Sequence, residues 1–148
     1  MSPSYFCIPI DFATPEYDET VSLRYDILRK PLEMEFHTKD LATEFDSFHI
    51  ACYQIATLQL VGCLILKPIN TSTLKMRQVA VRQELQSVGI GSYMVKYSEV
   101  FAKNKGYHLM ELHARSTAIE FYTKLGYQAV GKPFKEIGLP HIKMSRSL

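Results

Sequence analysis

The sequence predicts an α+β fold, a mixed sheet with helices on its faces. Three observations carry that expectation. Short apolar runs of strand length recur along the chain, separated by proline, glycine and Asn-Thr-Ser punctuation. Other stretches place apolar residues at helical spacing. The order that results is strand, helices, three strands, helix, strand, helix, two strands. With 148 residues, 47% hydrophobic and 22% charged, the chain has enough apolar surface for one domain spanning residues 1–148.

Tyr5-Phe6-Cys7-Ile8 opens as a short apolar strand. Thr14-Pro15-Glu16 then reads as N-cap, first-turn proline and first-turn acid. Tyr17, Val21, Tyr25, Leu28 and Leu32 recur at near-helical spacing and predict one buried face, with Pro31 limiting the helix. Glu33 to Asp46 is polar and irregular, a short second helix or a loop over a substrate. Phe48 to Tyr53 and Leu60 to Leu66 read as a hairpin turning near Ala56-Thr57, and Leu74 to Val81 as the next strand. Ile90, Tyr93, Met94, Tyr97 and Phe101 form the stripe of a long helix that Gly106 ends. Leu109 to Ala114 is a further strand. Ser116 or Thr117 caps a helix through Leu125, which Gly126 stops. Tyr127 to Val130 and His141 to Met144 are the last strands, joined by a loop over Lys132 to Pro140.

Composition excludes several classes. Seventeen Lys and Arg against fifteen Asp and Glu leave a net charge of +2, too balanced for a nucleic-acid partner. No apolar run is long enough to span a bilayer, and Met1-Ser2-Pro3-Ser4 lacks the basic start of a secretory signal. Cys7, Cys52 and Cys63 are odd in number and form no C-x-x-C. That usage suits a reducing, cytoplasmic setting with thiols serving as small apolar residues. His37, His49, His108, His113 and His141 show no zinc-type spacing, so no metal is expected.

The most informative stretch is Gln86-Ser87-Val88-Gly89-Ile90-Gly91, followed directly by Ser92 and the long helix. Backbone N–H groups at a helix start lack intrahelical partners and can point at an anion. Glycine lets the anion come close, having no Cβ in the way. Met94 stands where a dinucleotide fingerprint needs its third glycine, and Gly91-Ser92-Tyr93 lacks the lysine of a P-loop. A phosphate or pyrophosphate site remains, with a plain strand-to-helix turn as the bland alternative.

Five pieces of the chain together resemble the GNAT N-acetyltransferases, and among them the small bacterial ElaA type. They are Leu28-Arg29-Lys30-Pro31-Leu32, Val61-Gly62-Cys63, Arg77-Gln78-Val79-Ala80-Val81 before the glycine loop, Leu112-His113-Ala114-Arg115 with Ala118 and Phe121 to Tyr127, and Phe134 to Met144. The resemblance covers nearly the whole length. It implies a mostly antiparallel sheet with a splay between strands 4 and 5, where acetyl-CoA lies. It places the Val79-Ala80-Val81 backbone along the pantetheine arm. The amides of Gln86, Ser87, Val88, Gly89, Ile90, Gly91 and Ser92 hold the pyrophosphate. Arg115 and Ser116 make polar contacts to the cofactor, and Tyr122 faces the thioester sulfur. The implied reaction is direct acetyl transfer, within a ternary complex, to a primary amine of a small molecule or peptide. Related proteins often form homodimers, so that assembly is open.

The chemistry needs a neutral amine, a stabilised oxyanion and a departing thiolate. A fourth-strand N–H, that of Val81, is the candidate to polarise the thioester carbonyl. Tyr122 is the candidate acid for the thiolate. The fourth strand offers Lys75, Arg77 and Gln78 where many members of the family carry a carboxylate base. His113 is the candidate base, directly or through water, because an imidazole can take up and release a proton in catalysis. Glu136 and His141 flank a Gly-Leu-Pro turn and could converge on the same pocket, selecting a cationic substrate and relaying its proton. Arg77 and Arg115 suit the cofactor or a substrate carboxylate. A non-catalytic acyl-CoA-binding module, or a protein that binds another nucleotide on the same loop, would share the loop but need neither Tyr122 nor a base.

Overall fold

Short extended runs between turn residues build seven strands into one sheet in a computed structural model that describes residues 4–148. The Met1-Ser2-Pro3 part of the chain start lies outside the described residues. The strands are β1 (Tyr5–Ile10), β2 (Phe48–Gln54), β3 (Leu60–Pro68), β4 (Thr73–Val81), β5 (Leu109–Arg115), β6 (Gln128–Glu136) and β7 (Leu139–Ser147). They lie in the order β1-β2-β3-β4-β5-β7-β6. Every pairing is antiparallel except β4 with β5. The helices are α1 (Pro15–Arg24), α2 (Thr38–Ala42), α3 (Ile90–Asn104) and α4 (Ile119–Lys124). Among the described residues no helix is long and apolar enough to cross a membrane.

One defect in this sheet matters for function. β4 and β5 pair only from Thr73–Leu109 to Met76–Leu112. Beyond that point the two strands part. β4 also bulges there: its register against β3 shifts between Arg77 and Ala80, and Gln78 takes φ 55°. A bulge twists and bends its strand, which helps to open the gap.

Thr14 caps α1 as expected, its Oγ1 accepting from the Tyr17 N–H. The buried face of α1 is Tyr17, Thr20, Leu23 and Arg24; Val21, Tyr25, Leu28 and Leu32 are only half-buried. The cause is a π-helical turn over Tyr25–Arg29, followed by a 3₁₀ turn over Lys30–Leu32. An i→i+5 turn holds one residue more than an α turn, so the face drifts. The segment after it is α2 and a 3₁₀ turn, tied down by buried charge. Arg24 forks onto Glu44 (Nη1–Oε1 2.9 Å, Nη2–Oε2 2.7 Å), Tyr17 Oη donates to Glu44 Oε1 (2.7 Å), and His49 Nε2 meets the Glu44 carbonyl (2.9 Å). Burial pushes the Glu44 carboxyl up, but the hydrogen bonds and charge of Arg24 outweigh it and hold it below the ordinary range.

α3 buries Ile90, Met94, Val95, Ser98 and Ala102 against the sheet, while Tyr93 of the expected stripe is exposed. α4 is shorter than the sequence suggests. A 3₁₀ turn over Ser116–Ala118 precedes it, and no side chain caps it. The largest departure is the expected loop over Lys132 to Pro140, which is a long β6–β7 hairpin. Its turn is Ile137-Gly138, both with positive φ (47° and 75°), the twist that closes a two-residue hairpin. The apolar pattern marks the far ends of both strands but not their extension toward the turn, because β6 is exposed almost throughout.

Candidate active site

Side-chain alternation along β5 sorts the site into two faces. Met110, Leu112 and Ala114 are buried in the core beneath α3 and α4, together with Tyr122. Glu111, His113 and Arg115 point to the other face. The gap between β4 and β5 joins the two sides in one cavity of about 430 Å³. Tyr122, His113, Glu136, His141, Arg115 and Val79 all line it. So do Arg29, Lys75, Arg77 and Gln78. Ser116, Ala80, Val81 and the glycine loop are not part of its wall.

Glu136 is brought in by the β6–β7 hairpin. Its carboxylate receives a hydrogen bond from His113 Nδ1 (3.0 Å), and its other oxygen lies 3.7 Å from His141 Nε2. A carboxylate can only accept, so His113 carries its proton on Nδ1 and leaves Nε2 as an acceptor. Phe134 fixes the ring edge-to-face at 4.9 Å. His141 is buried and donates Nδ1–H to the Leu139 carbonyl (2.9 Å). Partial burial pushes the Glu136 carboxyl up, but the His113 hydrogen bond, then the charges of His113, His141 and Lys75, bring it below its ordinary value.

Tyr122 is 7% exposed and stacks edge-to-face on Phe121 and Tyr127. Among the described residues its hydroxyl has no hydrogen-bond partner, whereas Tyr17 and Tyr127 bond to Glu44 and Glu99. Burial pushes its pKa up to about 12. The Gln78 Oε1 is also buried without a partner. The Tyr122 hydroxyl, a donor, and the Gln78 Oε1, an acceptor, both belong to residues lining this cavity.

The glycine loop lies at the surface next to the open edge of β4. A 3₁₀ turn over Gln83–Leu85 separates it from the strand. Ser87 and Gly89 take positive φ (68° and 97°), and α3 starts at Ile90. The first bonded N–H of α3 is that of Tyr93, to Gly89 O (3.0 Å). Among the described residues the N–H groups of Ser87 through Ser92 find no acceptor. Six consecutive donors with alternating backbone hand form an anion nest. Arg82 N–H bonds to Val61 O on β3, so the Val81 N–H faces away from β3 into the gap. The Val81 carbonyl accepts from Gln86 Nε2 (3.1 Å), which leaves that N–H free.

Sequence reasoning passed over Arg29 and Gln78. Arg29 stood in view as part of a motif, but only the π-helical turn shows that it reaches the cavity. Among the described residues no group of three metal-ligating side chains occurs.

The strand gap thus has unpaired amides at one end and the His113–Glu136 pair across it. The chain belongs to the GNAT acetyltransferase family: the model of the acetyltransferase (GNAT) domain matches residues 29–148. YitI of Bacillus subtilis, an uncharacterised N-acetyltransferase, is 26% identical over 146 residues, 94% of this chain and 97% of YitI. The fold is similar to Escherichia coli ElaA, with a TM-score of 0.79 and 19% identity over 96% of this chain and 99% of ElaA. It is also similar to a GNAT family acetyltransferase from Elizabethkingia anophelis with acetyl-CoA bound, with a TM-score of 0.75 and 19% identity over 99% of this chain and 100% of that one.

Proposed function

We propose that this chain transfers an acetyl group from acetyl-CoA directly to a primary amine, with both substrates bound at once. The observation that carries the reading is the cavity joining the Tyr122 hydroxyl to the His113–Glu136 pair beside the open edge of β4. Acetyl-CoA supplies an activated acyl carbon and a thiolate leaving group. The nest from Ser87 to Ser92 suits its diphosphate, with Gln86, Gly89, Ile90 and Gly91 shaping the turn. The edge of β4 at Val79, Ala80 and Val81 suits an added strand-like arm, in the manner of β-augmentation. Arg115 and Ser116 stand where that arm would enter. The free Val81 N–H is the donor for the carbonyl oxygen.

His113 Nε2 takes the proton that the amine gives up, and Glu136 stabilises the imidazolium that forms. His141 holds the far side of Glu136, close enough to share that charge. Tyr122 donates its hydroxyl proton in a hydrogen bond to the sulfur as it leaves. Complete transfer is the lesser part of its role. A phenol near 12 is about 3.5 units above an ordinary thiol near 8.5, about 5 kcal/mol uphill. The cysteines support direct transfer. None lines the cavity, and burial pushes the Cys63 thiol up to about 12.

The test follows free thiol with acetyl-CoA and a panel of amines. Thiol release that requires an amine, without a burst in its absence, is the expected result. His113→Gln should remove most of the rate while leaving acetyl-CoA binding in place. Tight binding of acetyl-CoA with no release on any amine would leave only a binding module.

A further inference from the structure

Four cationic side chains line the cavity: Arg29, Lys75, Arg77 and Arg115. Among the described residues none of them forms an ion pair with a carboxylate. The cavity has one carboxylate, Glu136, which His113 already engages. Glu111, on the same face of β5, is taken by Lys143 at 3.1 Å. The whole chain carries only +2, so positive charge is gathered at this cleft.

We propose that the acceptor amine also carries an anionic group, a carboxylate or a phosphate, and that Arg29, Arg77 and Arg115 hold it. This rests on the acetyltransfer reading and narrows its substrate. The arginines come from three separate elements, the π-helical turn, β4 and β5, and converge on one cavity whose single carboxylate, Glu136, is hydrogen-bonded to His113. They repel one another: burial lowers the Arg29 pKa, and Arg115, Arg24 and Arg77 lower it further. Phe36 braces the Arg29 guanidinium, its ring centroid 4.8 Å away, as it does Arg24. Guanidinium forks suit both carboxylate and phosphate oxygens. The diphosphate of the acyl donor has its own donors in the Ser87–Ser92 nest, outside this wall. A cavity of about 430 Å³ suits a small molecule. The expectation that Glu136 and His141 select a plain cation is thereby narrowed: an amine near Glu136 enters a cleft that needs a negative partner group.

The experiment compares matched amines in the thiol-release assay. One arm sets amino acids against their carboxamides, and a second sets amino-sugar phosphates against the free amino sugars. The anionic member of at least one arm should show a kcat/KM about 10- to 100-fold higher, and the arm that shows it names the anion. Arg29→Gln and Arg77→Gln should bring that ratio to within about twofold. Equal or better use of the neutral members in both arms, or of polyamines, overturns the proposal while leaving acetyl transfer intact. A separate measurement needs no turnover. Acetate and inorganic phosphate, added at constant ionic strength, should raise the melting temperature, and the Arg29→Gln/Arg77→Gln double variant should lose part of that rise. No difference between the double variant and the parent with either ion overturns the proposal. No thiol release on any amine, with the arginine-dependent rise present, overturns acetyl transfer and keeps the anion site.

Discussion

Replacing Tyr122 with phenylalanine separates catalysis from packing at one atom. The ring is held by Phe121 and Tyr127, with centroids 4.9 and 5.7 Å away, and neither contact uses the hydroxyl. Among the described residues the hydroxyl has no hydrogen-bond partner. Its removal therefore breaks no hydrogen bond in the folded chain. In the reaction the same hydroxyl meets a sulfur acquiring negative charge. A hydrogen bond to a charged group is worth about 1.5–3 kcal/mol, which is about a 10- to 150-fold loss in kcat. Tyr122→Phe should thus melt at or above the parent temperature, bind acetyl-CoA as the parent does, and turn over about 10- to 150-fold more slowly. Steady-state thiol release and a thermal melt on the same preparation decide it. A kcat within twofold of the parent would refute the assigned role, and a large fall in melting temperature would make Tyr122 a packing residue first. The pH dependence adds a check. With its pKa pushed up to about 12, Tyr122 stays protonated through the working range, so no alkaline limb below pH 10 should vanish in the variant.

Glu44→Gln leaves Arg24, only 1% exposed, without its counter-charge, and should cost about 3–5 kcal/mol in denaturant unfolding. Because Glu44 is held below its ordinary pKa of 4.5 in the fold, its stabilisation is present above that value and fades as pH falls through it; urea midpoints from pH 7 to 3 should converge for parent and variant. Gly89→Ala meets no neighbour within 4 Å but must keep φ 97°, a strain of about 1–2 kcal/mol. It should raise the KM for acetyl-CoA more than that for the amine, as initial-rate kinetics would show.

Much of the fold was legible because its core strands are short apolar runs bounded by turn residues. Ile50, Leu64, Leu74 and Leu112 sit in strands that the apolar pattern delimits to within two residues or so. The glycine loop was legible because a helix start needs little more than its own backbone. The turn end of the hairpin from Gln128 to Ser147 was not: only Tyr127 to Val130 and His141 to Met144 stood out, since β6 faces solvent and its exposed residues carry no period-2 apolar signal. That hairpin sets Glu136 against His113, so convergence on one pocket was legible in the sequence while the hydrogen bond between the two was not. Arg29 escaped for a related reason: helical spacing assumes 3.6 residues per turn, and a wider turn breaks the count.

That wider turn has a bearing on how the chain tolerates change. Tyr25 to Arg29 accommodates a surplus position within an otherwise regular coil. Excising one residue there would let a plain α turn take the place of the wide one, with little net rotation of the chain that follows. The change would fall on the residues inside the turn, Leu28 and Arg29 among them, while Thr14 to Arg24 and the buried Glu44 anchor stayed as they are. The reach of Arg29 into the cavity is thereby hung on the length of a five-residue stretch, open to change by a single indel without disturbing the sheet beneath.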